Sequence, residues 1–394
     1  MRLAIVTESF PPRINGVSRT VAELTAYLRR NRHEALIFTP GGGLHEHDGF
    51  EVVGVRGVRG WLYPDLTVSP VAPGMRRRLR EFAPHVVHLA SPAALGVWGG
   101  WTAWSLDLPV AAHYQTDLLG YARAYGGAAL ALVAGIAARS FHNRCTATYA
   151  PTPPMAEELC RRGFERVRVS GRGVDAGLFR PHRQGALQAA RHWPPGDGAR
   201  VLSVSRLARE KNLVSVLDIA AKHPELRFLL VGDGPMGEEL SQRAPPNLNL
   251  AGALRGPALA DCYAAADVFL HPSVTETFGQ VVQEAMASGL PVAGIRSGGV
   301  GWLVEHGVTG VLVDPPGHDL GDALGELVHR YDRRAMGEAA HHAVSGRTWS
   351  AVFDALLADY TARGRRESHG GVAGSSGSRM WRAGRKPRVI AVPG

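Results

Sequence analysis

The chain has almost no lysine and very little cysteine. Of 44 basic residues only Lys211, Lys222 and Lys386 are lysine, so nearly all positive charge is arginine. Cys145, Cys160 and Cys262 are an odd three with no close spacing, which excludes a disulfide framework and a cysteine-built metal site. No Asp-x-Asp pair occurs anywhere, so that common metal–nucleotide signature is missing. Long apolar runs are missing too. The longest, Gly126–Ala138, has 13 residues, against the roughly 17–25 of a membrane-spanning helix. The first apolar run, Leu3–Val6, reads as a buried strand rather than a secretion signal. Together these absences predict a cytoplasmic globular protein with at most peripheral membrane contact.

What is present fits two domains. The length of 394 residues exceeds the roughly 250–300 at which one core stops growing. With 45% hydrophobic and 20% charged residues the chain is globular. Its net charge of +9 invites a polyanionic partner, but the charge is localised. Residues 1–172 carry +7, residues 173–363 carry −4, and residues 364–394 carry +6.

Short apolar runs alternate with helical stretches through both halves. Strands are predicted at Leu3–Val6, Ala35–Thr39, Val86–Leu89, Val110–His113 and Thr146–Ala150. Helices are predicted at Ser18–Arg30, Pro73–Phe82, Pro92–Ser105, Leu119–Phe141 and Pro153–Arg162. After a Gly-, Pro- and Arg-rich break at Ser170–Asp197 the alternation restarts, with strands at Val201–Ser205, Arg227–Val231, Asn247–Ala251, Val268–His271, Pro291–Ile295 and Gly310–Val313. This is the pattern of an α/β protein with two doubly wound, Rossmann-like domains facing across a cleft. The expected divisions are 1–172, 173–348, a crossover helix 349–363 returning to the first domain, and a disordered basic tail 364–394.

Three segments carry chemistry. After the first strand, Asn15-Gly16-Val17 opens a helix; a glycine there lets backbone approach a phosphate, or is an ordinary turn. This turn has no G-x-G-x-x-G, which weakens a nicotinamide or flavin reading. At the restart, Arg206 ends a strand and Lys211 stands five residues on, a pair able to hold a diphosphate. The plain alternative is a solvated charge run, but a lysine in a chain of arginines stands out. The third segment is His271-Pro272-Ser273-Val274-Thr275-Glu276-Thr277-Phe278-Gly279, followed by Glu284 in the next helix. The loop carboxylate of Glu276 suits sugar hydroxyls and the helical Glu284 a ribose, while backbone amides at Phe278 and Gly279 suit phosphate. The alternative is a helix-start acid and a surface charge.

The Arg206–Lys211 pair, the E-x7-E of Glu276 and Glu284, and the Asn15-Gly16-Val17 turn resemble retaining glycosyltransferases of family four with the two-domain GT-B fold. The likeness extends over residues 1–362, including Gly171-Arg172-Gly173-Val174-Asp175 and Val231-Gly232-Asp233-Gly234-Pro235. It is nearest to bacterial GDP-mannose-dependent α-mannosyltransferases of glycolipid assembly. The resemblance implies that Gly16, Arg206 and Lys211 contact the diphosphate, that Glu284 binds the ribose and Glu276 the transferred sugar, and that no metal or other cofactor is needed. Many relatives carry histidine where this chain has Gln115, a residue that can bond a sugar hydroxyl but cannot carry a proton. His113 shares a strand face with Gln115 and either lines the cleft or is a structural group.

The acceptor side rests on charge. Arg76, Arg77, Arg78 and Arg80 fall on one predicted helix, which either docks on anionic lipid headgroups or is simply solvated. The apolar stretch Ala128–Ala138 either buries in the membrane interface or lies in the domain core, and the core is the expectation. The reading is therefore a retaining hexosyltransferase, moving mannose from GDP-mannose to a lipid-linked or glycolipid acceptor. The alternatives are a UDP-sugar transferase with a soluble acceptor, or a two-lobed sugar-nucleotide-binding protein without chemistry. Nucleic acid is not an expected partner, because no recognised module accompanies the basic tail.

Overall fold

The structure is a computed structural model and describes residues 1–12, 15–41, 44–59, 67–68, 72–90, 92–115, 132–369 and 388–389. The chain divides into two compact units, Met1–Gly171 with Trp349–Val392, and Arg172–Thr348. The first contains β1 (Arg2–Val6), β2 (Glu34–Pro40), β3 (Glu46–His47), β4 (Phe50–Val55), β5 (Val58–Arg59), β6 (Thr67–Val68), β7 (Val86–Leu89), β8 (Val110–His113), β9 (Ala147–Ala150) and β10 (Val167–Val169). Its helices are α1 (Gly16–Arg30), α2 (Met75–Phe82), α3 (Ala94–Trp104), α4 (residues 132–144) and α5 (Pro153–Arg161).

The second unit holds β11 (Arg200–Val204), β12 (Arg227–Val231), β13 (Leu248–Gly252), β14 (Val268–His271), β15 (Val292–Ile295) and β16 (Gly310–Val313). Its helices are α6 (Ala186–Ala189), α7 (Val214–Lys222), α8 (Gly237–Arg243), α9 (Gly256–Ala265), α10 (Gln280–Ala287), α11 (Gly298–Leu303), α12 (Leu320–His329) and α13 (Arg333–Val344). The chain then re-enters the first unit through α14 (Trp349–His369) and β17 (Arg388–Val389).

Both predicted parallel sheets are present. The second unit's strands lie in the order β13-β12-β11-β14-β15-β16, all parallel. This is the doubly wound order in which the chain reverses direction between β11 and β14. The first unit's larger sheet runs β17-β10-β9-β8-β7-β1-β2-β4-β3, with only the β3–β4 pair antiparallel. Its switch point lies between β1 and β7. Central strands are apolar throughout because both faces are covered; Leu3 to Val6 are all at most 1% exposed.

Helix α1 shows why the local sequence folds as it does. Val21, Leu24 and Leu28 fall on one face and are buried, and the Asn15 side chain accepts the Ser18 N–H at 2.9 Å to cap its start. Helix α14 repeats the device with Trp349, Val352, Phe353, Leu356, Leu357 and Tyr360, which join Val21, Leu24 and Leu28 in one core beneath the sheet. Side chains of this size contribute about 1.5–3 kcal/mol each when buried. On the other sheet face, Met75 and Leu79 of α2, Leu95 and Ala103 of α3, and Phe141 of α4 close a second core.

Several expectations need correcting. The chain beyond Gly364 was expected to be disordered, yet α14 continues to His369 and Arg388–Val389 pair with Arg168–Val169 at the sheet edge. One glycine costs a helix only about 1 kcal/mol, and the following Arg365-Arg366-Glu367 are good helix formers; residues 370–387 lie outside the described residues. The helix predicted at Leu119–Phe141 is described only from residue 132 and runs on to 144. Within it Leu132, Val133 and Ile136 are 66%, 64% and 52% exposed, so this part of the apolar stretch is surface rather than core. Unforeseen elements include β10, whose three residues have Arg168 at the centre, and α11, which begins on two glycines.

Candidate active site

At the second unit's switch point, the loops leaving β11 and β14 meet. The β11 loop passes Arg206, which is exposed, and enters a 3-10 turn at Arg209–Lys211. Asn212 closes that turn in the left-handed conformation (φ 53°), which asparagine tolerates. Its side-chain amide donates to the Pro272 carbonyl at 3.3 Å, and Thr275 Oγ1 donates to the Glu210 carbonyl at 3.1 Å. Both bonds tie the β11 loop to the β14 loop.

Across this seam Lys211 Nζ donates to Glu276 Oε1 at 2.6 Å, the two side chains being 21% and 17% exposed. His271 Nε2 lies 3.7 Å from the same oxygen and makes no hydrogen bond. Burial lowers the His271 imidazole to about pKa 4, so it is neutral near pH 7. Burial also pushes the Glu276 carboxyl up, but Lys211 first, then His271 and Arg172, outweigh it and hold it below the usual carboxylate range. Glu276 therefore stands as a carboxylate against the partly buried Lys211 side chain, in reach of solvent.

The β14 loop is braced from its far side as well. The Gly299 N–H donates to the Glu276 carbonyl at 3.1 Å and Ser297 Oγ to that of Val274 at 2.5 Å. A Cβ on Gly298 would stand 1.9 Å from the Glu276 carbonyl oxygen, so only glycine fits there. Gly279 (φ +88°) then turns the chain into α10. Phe278 is buried among core side chains, which leaves only its backbone for any ligand. Glu284 is fully buried, with Oε2 3.4 Å from the Tyr263 hydroxyl.

Two features of this site escaped the sequence reading. The sequence marks Arg172 only as part of the 171–175 segment, yet its guanidinium lies 5.8 Å from the Phe278 ring centre and its charge acts on Glu276. Side-chain amides of Gln280 and Gln283 on α10 fix the segment by donating to the Gly173 and Arg172 carbonyls. The turn after β12 contains Gly232, Gly234 and Gly237 at G-x-G-x-x-G spacing. Here those glycines serve loop packing, since Cβ atoms on Gly232 and Gly234 would stand 1.8 Å from Ser205 O and 2.5 Å from Leu207 O. The signal was in the sequence, but its partner, the Arg206 loop, is not a sequence neighbour.

The first unit carries the remaining candidates. Gly16 is exposed at the first position of α1, and Gln115 is half-buried two residues past β8. Neither belongs to the unit that holds Arg206, Lys211 and Glu276. His113 does not line a ligand site. It is buried between the rings of His88 and Tyr149, centroids 4.2 and 4.8 Å away, and its Nε2 meets the Tyr360 hydroxyl at 2.8 Å. On α2, Arg76 bonds Ser105, Arg78 pairs with Glu51 and Glu81, Arg77 stands 3.9 Å from Glu81, and Arg80 is exposed.

A buried carboxyl unanticipated from sequence sits at the first unit's switch point. Glu8, just past β1, is 4% exposed; its Oε1 accepts the Gly96 N–H of α3 at 3.0 Å and its Oε2 has no hydrogen-bond partner. Desolvation raises it to about pKa 7 against the pull of the Gly96, Leu95 and Ala93 amides. With Phe10, Pro12, Pro40, Leu44 and His47 it lines a groove of about 570 Å³. Among the described residues no three His, Cys, Asp or Glu converge as metal ligands.

Two parallel-sheet α/β units, one with a lysine–carboxylate pair at its switch point, define the GT-B class of glycosyltransferase. The fold matches a solved Anabaena protein, HepE in complex with UDP, with a TM-score of 0.73 at 20% identity, covering 92% of this chain and all of that one. The Glycosyl transferases group 1 profile matches residues 188–343 and the Glycosyltransferase Family 4 profile matches residues 14–178. A GDP-mannose-dependent alpha-mannosyltransferase of Mycobacterium tuberculosis is 42% identical, over 93% of this chain and 98% of its own length. A protein of the same description from Mycolicibacterium smegmatis is 40% identical, over 92% and 97%. The chain belongs to glycosyltransferase family four, and it is a glycosyltransferase.

Proposed function

We propose that this chain transfers mannose from GDP-mannose, with retention of configuration, to a lipid-linked or glycan acceptor at the cytoplasmic face of a membrane. The observation that carries the reading is the Lys211–Glu276 pair at the switch point, in which the lysine comes from the same loop as Arg206. The names of the relatives support the donor. In this reading Arg206 and Lys211 take the diphosphate, with the amides around Gly279 on the same group. Glu276 takes the sugar hydroxyls, and Glu284 exchanges its Tyr263 contact for the ribose.

The chemistry is a substitution at the anomeric carbon. The bond from that carbon to the phosphate oxygen breaks, the acceptor oxygen bonds to the same face, and the acceptor proton passes to the departing diphosphate. Two cations placed before the reaction stabilise the charge that develops on the leaving group, with no metal required. The cations of α2 (Arg76, Arg77, Arg78 and Arg80) face the anionic surroundings of the acceptor.

Lys211→Ala tests the assignment. It is expected to lower turnover by about 10²–10³-fold, the size of losing one preorganised electrostatic contact, while the melting temperature without ligand changes little. Near-parental turnover would remove Lys211 from the mechanism. Thermal shift with GDP against UDP reads the base, and stabilisation by UDP alone would overturn the donor.

A further inference from the structure

Helix α3 is built the wrong way round for a water-facing helix. Its sequence, ALGVWGGWTAW, contains no charged residue. Glycines form its inner face: a Cβ on Gly99 would meet Val6 at 3.1 Å, and one on Gly100 would meet Phe141 at 2.7 Å. Trp98 and Trp101, three positions apart, turn outward and are 37% and 55% exposed. An apolar helix exposing tryptophan needs a second apolar neighbour on its outer side.

The exposed apolar surface continues onto α4. Trp104 of α3 packs on Phe141 of α4 with centroids 5.2 Å apart, and Arg144 of α4 lies 4.9 Å over Trp101 and 4.6 Å over Trp104. Leu132, Val133 and Ile136 stand out on the same helix, two to three turns before Arg144. Helix α2 borders α3 on its other side through the Arg76–Ser105 bonds. Among the described residues of these three helices Glu81 is the one acid, against six arginines.

We infer that the outer face of α3 and α4 inserts into an anionic lipid bilayer, with the arginines of α2 and the end of α4 at the headgroups. Tryptophan and arginine are the side chains that suit such a boundary, the one amphipathic and the other able to keep its charge in water while its stem lies in lipid. A second copy of this chain fits less well, because a two-fold interface would oppose arginine to arginine. The inference deepens the reading of a membrane-borne acceptor and rests on it for purpose, although its test does not depend on donor or acceptor.

The test is flotation with vesicles of phosphatidylcholine alone or with about 30% phosphatidylglycerol, an anionic surface of the kind that attracts basic segments. The full chain is compared with Leu132→Ser/Val133→Ser/Ile136→Ser and, separately, Trp98→Ser/Trp101→Ser, with melting temperature and GDP affinity as controls. The parent should float with the anionic vesicles, its tryptophan fluorescence should be quenched by brominated acyl chains, and each variant should lose binding by about tenfold or more. Absence of parental flotation, variants that float like the parent, or a dimer that the variants disperse would each overturn the inference. Flotation without GDP binding would leave this surface standing and reject the donor instead.

Discussion

At the residue scale, burial decides which charges survive. Glu276 stays a carboxylate because Lys211 lies 2.6 Å away, and since both side chains reach solvent, water takes up much of what either loses when the other is removed. Glu8 is the opposite case, since its three nearby amides do not offset desolvation and its carboxyl is raised from 4.5 to about 7. The sign of the consequence follows. Below about pH 4.5 folded and unfolded chains both hold this proton; as pH rises towards 7 the unfolded chain releases it first, so folding stability falls, levelling off above about pH 7. The difference in the two pKa values corresponds to roughly 3 kcal/mol. Glu8→Gln keeps an acceptor for Gly96 and removes the proton, so urea midpoints for parent and variant should diverge between pH 5 and pH 8, with the variant gaining at the higher pH. Parallel pH profiles would show that Glu8 is not the buried acid this geometry makes it. Arginine and lysine positions were legible in sequence; the burial of Glu8 and the involvement of Arg172 were not, because both depend on chain that is distant in sequence.

At the scale of elements, apolar runs and caps carried most of the information. Strands β7, β8, β12, β14 and β16 fall where their short Val- and Leu-rich runs predict them, since a strand buried on both faces must be apolar throughout. Elements without such runs, β10 and α11, were invisible. His113 shows the same limit: its strand was evident, but its neighbour Tyr360 comes from α14, 247 residues later. The Tyr360 hydroxyl bridges His113 Nε2 at 2.8 Å and His88 Nδ1 at 2.9 Å, and burial keeps both imidazoles neutral, with His88 lowered to about pKa 3. A phenol has one proton, so it donates to one ring and accepts from the other. Tyr360→Phe strips both buried nitrogens of this partner and should cost about 1–3 kcal/mol, read as a lower denaturation midpoint with GDP affinity retained. An unchanged midpoint would mean that these two hydrogen bonds add nothing to the hold on α14.

At the scale of the whole molecule, charge is divided by region. Residues 1–172 carry +7 while residues 173–363 carry −4. Raising NaCl from about 0.05 to about 0.5 M shortens the screening length from roughly 14 Å to roughly 4 Å. Binding to anionic vesicles should weaken steeply over that range while GDP affinity, set by partly buried groups, falls less; salt-independent flotation would mean the arginines contribute nothing to it. By itself the sequence determined the alternation of strands and helices, the two parallel sheets, and which cations and carboxylates follow β11 and β14. These are local: they follow from period, turn chemistry and residue type within a few positions. Tertiary structure alone decided that Lys211 meets Glu276, that His113 is core, that the tail's start is helical, and that an apolar helix keeps glycine inside and tryptophan outside. Each depends on which distant segment covers a side chain, and cover, through desolvation and packing, is what composition and spacing leave open.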